Sequence, residues 1–122
     1  DGETFRFLDS ILTDNAVTRP FYLFIYNQAM KVTDGALSEY MASVCRRYME
    51  KYPCEFLLYT SDKVSRIDAE KWAGFIGFDV YDKKTFDKFA NEVDQKVKRD
   101  CPTNNSNWDK VKVKIEGKLE SK

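Results

Sequence analysis

The stretch Leu37–Tyr52, LSEYMASVCRRYMEKY, decides the fold. Its large apolar residues fall at Leu37, Tyr40, Met41, Val44, Cys45, Tyr48, Met49 and Tyr52, in steps alternating between three and one. That repeat of four is the signature of an α-helix with one broad buried stripe. The residues between, Ser38, Glu39, Ser43, Arg46, Arg47, Glu50 and Lys51, are polar and face away from it. Pro53 disfavours α geometry in the residue before it, so the helix stops near Tyr52. Upstream, Thr33-Asp34-Gly35 breaks the pattern and offers Asp34 as its N-cap.

Helical spacing continues outward in both directions. Asp1 and Glu3 suit the start of a short helix carrying Phe5, Leu8, Ile11 and Leu12. Pro20 opens a second helix through Val32, placing Phe21, Phe24, Ile25, Gln28, Ala29 and Val32 on one side and Tyr22, Tyr26 and Met30 on another. Pro53 opens a short helix through Cys54, Phe56, Leu57 and Tyr59. Asp68 caps a helix with Trp72, Phe75, Ile76 and Val80, in which Gly74 and Gly77 either permit another helix to approach closely or merely loosen this one. Thr85 is read as the cap of a helix carrying Phe86, Phe89, Ala90, Val93 and Val97. Cys101-Pro102 and Thr103–Asn107 read as a polar loop, with Ser106-x-x-Asp109 resembling a capping box for a last helix through Trp108, Val111, Ile115 and Leu119. The fold class expected is all-α: a single domain over 1–122, an antiparallel bundle or short helical array of five to seven helices. The competing reading is α+β, with strands near 21–26, 56–59 and 111–115, where β-prone runs are short.

Composition narrows the function. The 122 residues are 43% hydrophobic and 15% aromatic, enough for a real core. Twenty basic residues balance twenty acidic ones, removing the usual electrostatic argument for nucleic acid as a partner. The longest apolar run, Phe21–Tyr26, is far short of the roughly 18 residues of a transmembrane helix. A start at Asp1 rather than Met fits either a piece cut from a longer chain or an exported chain whose leader was removed, which leaves the compartment open. Three cysteines give no CxxC pair: Cys45 falls on the buried stripe, and an oxidising compartment would allow a Cys54–Cys101 disulfide.

The absence of histidine excludes Ser-His-Asp and Cys-His catalysis and His-bearing zinc sites. Gly74-Phe75-Ile76-Gly77 fits no phosphate-binding pattern, and Asp34-Gly35 with Glu39 lacks the other oxygen ligands of a calcium loop. No metal and no cofactor is expected. Asp62, Asp68, Glu70, Asp79 and Asp82 are the material for a carboxylate-based hydrolase, but a domain this small rarely forms the cleft it needs, and capping and solvated positions already explain them. The expectation is a non-catalytic domain with a protein partner, and Tyr22, Tyr26 and Met30, spaced four apart, are the candidate binding patch. A small-ligand carrier with an aromatic cavity is the alternative.

Overall fold

A computed structural model describes residues 6–33 and 35–120. Among these there are seven helices and no strand. We name them α1 (6–8, tightening into a 3-10 turn over Asp9–Leu12), α2 (Arg19–Met30), α3 (Gly35–Lys51), α4 (Pro53–Tyr59), α5 (Ala69–Val80), α6 (Lys83–Asp100) and α7 (Asn105–Glu120). The three segments open to a strand reading, 21–26, 56–59 and 111–115, are all helical. In the last, Val111 and Ile115 are buried one helical turn apart while Val113 points into water at 67% exposure. A single solvent-facing valine produces the apparent alternation.

The stripe of α3 is buried as its spacing requires. Met41, Val44, Cys45, Tyr48 and Met49 are wholly inaccessible, with Leu37, Tyr40 and Tyr52 at its margin. The helix ends at Lys51, and Pro53 begins α4 in the first-turn position where a missing N–H costs nothing. Helix α5 lies between α3 and α7, so its surface is apolar on two sides. Its Trp72 is the hub of the core. The ring sits 5.6 Å from that of Tyr26, 5.5 Å from Tyr48 and 5.7 Å from Phe56, so α2, α3 and α4 all meet on it. A second centre forms where α6 and α7 pair, with Phe89 edge-on to Trp108 and the Trp108 indole N–H donated to Asp94.

Helix starts follow elementary capping chemistry, with two departures from the sequence reading. Asp68 caps α5, its Oδ1 accepting the Lys71 N–H at 3.1 Å. The cap of α6 is Asp82, not Thr85: the Asp82 carboxylate reaches the Thr85 N–H at 2.8 Å, placing Thr85 inside the first turn. The polar segment after Cys101 is not a loop either. Pro102–Asn104 is a 3-10 turn running directly into α7 from Asn105, so Ser106 is already helical and cannot cap. The Asp34 cap and the roles of Asp1, Glu3 and Phe5 lie outside the described residues.

The two glycines of α5 differ sharply. A Cβ on Gly77 would lie 2.8 Å from the Lys118 Cβ and 3.3 Å from the Ile115 carbonyl oxygen, whereas one on Gly74 would meet nothing within 4 Å. Gly77 therefore sets the distance between α5 and α7. Gly74→Ala is expected to stabilise the domain by about 0.5–1 kcal/mol through helix propensity and unfolded-chain entropy. Gly77→Ala is expected to destabilise it by about 1–3 kcal/mol, because α7 must shift. Denaturant titrations of both variants check the opposite signs.

Candidate binding face and cleft

Helix α2, RPFYLFIYNQAM, is apolar on two sides. Leu23, Tyr26 and Met30 point inward and are almost fully buried. Tyr26 packs on Trp72, and its hydroxyl donates to the Met41 carbonyl at 2.6 Å. The outward face carries Phe21 and Phe24, 61% and 63% exposed, followed one turn on by Gln28. Val17 and Val32, in the turns just outside the helix, are exposed as well. The helix has one charged residue, Arg19, and that one is buried.

The candidate patch Tyr22, Tyr26 and Met30 is therefore not gathered on the surface. Tyr26 and Met30 belong to the core, and Tyr22 is half-buried between the edges of Phe7 and Phe21 at 5.8 and 5.5 Å. The exposed aromatic side is the other one, that of Phe21 and Phe24. What turns the helix is Asn27, which the sequence reading missed. Its Oδ1 accepts the Trp72 indole N–H at 2.8 Å, and its Nδ2 donates to the Arg66 carbonyl at 3.1 Å. An amide placed there orients Leu23 and Tyr26 toward α5 and leaves Phe21 and Phe24 outside.

Arg19 fixes the start of the same helix. Its Nε and Nη2 donate to the two Glu55 oxygens at 2.9 Å each, and Nη1 donates to the Thr13 carbonyl at 2.8 Å. The guanidinium lies 3.7 Å over the Tyr52 ring, and the Tyr48 hydroxyl donates to Glu55 Oε2 at 2.6 Å. Bidentate pairing and ring stacking are the geometry that suits Arg rather than Lys in a poorly solvated place. The hydrogen bond to Glu55 holds the Arg19 pKa above its ordinary value.

Beside α2 a cleft of about 550 Å³ opens between the Phe24 side of the helix and the connection preceding α5. Pro20, Leu23 and Phe24 supply its apolar wall, and Lys31, Arg66 and Lys71 stand around it. A second groove, of about 420 Å³, runs between α3 and α5 over Ala42, Gly74, Phe75 and Phe78. Lys71 borders both.

The five acidic residues weighed for hydrolysis are dispersed. Asp68 and Asp82 cap helices, Asp79 pairs with Arg46, Glu70 pairs with Lys114 and Lys118, and Asp62 is exposed. Among the described residues no three of His, Cys, Asp or Glu converge as metal ligands. The Cys45 thiol is wholly buried, with burial pushing its pKa up, so it is a packing group. Cys54 and Cys101 form the disulfide.

Two buried phenols give a pH prediction. Burial, the largest cause for both, raises Tyr26 and Tyr48 well above the ordinary value of 10.0; Glu55 adds to it for Tyr48. An acid whose folded pKa is raised stabilises the fold fully below its unfolded pKa and loses that contribution as pH rises above it. Stability is expected to fall above about pH 10. In an alkaline titration followed by phenolate absorbance, Tyr26 and Tyr48 should ionise only together with loss of the helical circular dichroism signal.

Comparison with protein-family models, curated proteins and solved structures finds no match for this chain.

Proposed function

We propose that the chain is a non-catalytic helical domain that binds another protein through the outward face of α2, with Phe21 and Phe24 as the anchors. One observation carries this reading. A twelve-residue helix presents two phenylalanines more than 60% exposed and no solvent-facing charge. Fully buried interface centres have that composition, rich in aromatic residues and depleted of charge, whereas a solvated helix face is polar. The adjoining cleft gives an incoming side chain somewhere to go, and a central pocket is where interface energy concentrates.

Selection from a displayed library of random peptides tests the reading. Peptides enriched on the wild-type domain should bind the Phe21→Ser/Phe24→Ser double variant at least about tenfold more weakly. Both side chains are exposed, so the variant should keep its circular dichroism spectrum and its melting temperature. Enriched peptides indifferent to the double substitution, or no enrichment at all, would sink the proposal. The cleft volume also favours a second reading, a small-ligand carrier, since about 300–1,000 Å³ is the range of ligand pockets. Native mass spectrometry of freshly purified protein separates the two, because a carrier retains a bound mass.

A further inference from the structure

The cleft beside α2 has a charge character that the chain as a whole lacks. Lys31, just past the end of α2, and Arg66 and Lys71, on either side of the start of α5, border one opening. Among the described residues none of the three has a carboxylate within ion-pairing distance. Arg19, Arg46, Lys51, Lys83, Lys112 and Lys118 do. The single acid at the opening, Asp68, is engaged as the cap of α5. Arg66 lies over the Tyr59 ring, its guanidinium carbon 5.4 Å from the ring centroid, and its side chain makes no hydrogen bond to a described residue. A guanidinium held against a ring face still presents its N–H fork edgewise to a carboxylate.

Cations around an apolar wall are complementary to one kind of protein segment. We infer that the cleft selects an acidic segment, an aromatic or aliphatic residue seated against Pro20 and Phe24 with flanking carboxylates meeting Lys31, Arg66 and Lys71. This rests on the reading of α2 as a contact face and adds the chemistry of the partner. Rim charges of this type steer encounter and discriminate between partners more than they add affinity, and salt screens them.

Three synthetic peptides of equal length test it by fluorescence anisotropy against the whole chain. All carry the same apolar residues at helical spacing, with Glu, Gln or Lys at every position between. The Glu peptide should bind about tenfold more tightly than the Gln peptide, and the Lys peptide more weakly than either. The order should reverse in the Lys31→Glu/Lys71→Glu variant, and added salt should narrow the spread. Lys71 lies in the first turn of α5, where an acid is tolerated, so that variant is expected to fold. Equal binding of all three peptides, lost in Phe21→Ser/Phe24→Ser, overturns the charge inference and leaves the α2 reading standing. Binding of none overturns the inference, and the library selection then decides the α2 reading by itself. Stronger binding to phosphatidylserine vesicles than to any peptide also overturns it, making a lipid surface the occupant.

Discussion

Replacing Trp72 with alanine is expected to lower the stability of the domain by about 3–5 kcal/mol, the range for emptying a fully buried large aromatic site. The upper half of that range is favoured by what surrounds the ring. Tyr26, Tyr48 and Phe56 contact it from three different helices, so no single helix can move inward to refill the space. Deleting the indole also removes the N–H that Asn27 accepts, loosening the amide that orients α2. For a domain with total stability of about 5–15 kcal/mol, this removes a large fraction of it. Trp72→Phe should cost less, about 1–3 kcal/mol, since it restores much of the ring contact but not the hydrogen bond. Urea titrations followed by circular dichroism measure both. A loss under about 1 kcal/mol for Trp72→Ala would mean that the three rings pack without their hub.

The stripe at 37–52 was legible because only one side of α3 is apolar, so period fixed both the element and its inward face. The short helices were harder to read. Pro53–Tyr59 and Phe21–Tyr26 are dense apolar runs in which helical and extended spacing look alike over so few residues. Two neighbours settle them: Trp72, which gathers Phe56 and Tyr26, and the Glu55–Arg19 pair, which ties α4 to α2 across 36 positions. Caps were legible to within a turn. Asp68 was placed correctly, whereas Thr85 was mistaken for the residue it hydrogen-bonds.

The candidate site was less legible than the scaffold, for a physical reason. Helix α2 has two apolar sides, and periodicity identifies such a helix without saying which side the core takes. That choice was made by Asn27, a polar residue whose importance lies in partners 39 and 45 positions away. Its position directly after the apolar run Phe21–Tyr26 was the available signal: an amide on the buried side of such a helix needs partners. The cations of the cleft are invisible as a group in the sequence: Arg66 and Lys71 are neighbours with no motif, and Lys31, far upstream, joins them only through the fold.

Loss of the Cys54–Cys101 disulfide is expected to cost about 2–4 kcal/mol. The bond joins the first turn of α4 to the end of α6, across a sequence separation of 47. Closing a loop of that size in the unfolded chain removes entropy worth about 4 kcal/mol at 25 °C, and residual order in the reduced chain subtracts from that ceiling. The folded state should change little, because α4 is held independently by Phe56 on Trp72 and Glu55 on Arg19. Reduction and the Cys54→Ala/Cys101→Ala double variant should therefore give the same loss, with an unchanged native circular dichroism spectrum. Cys45 supplies an internal control: wholly buried, it should resist alkylation in the reduced folded protein while Cys54 and Cys101 are labelled. Equal stability with and without the bond would mean that the reduced chain already brings α4 and the end of α6 together before folding. Loss of helical signal on reduction would instead mean that the remaining contacts of α4 cannot hold the fold alone.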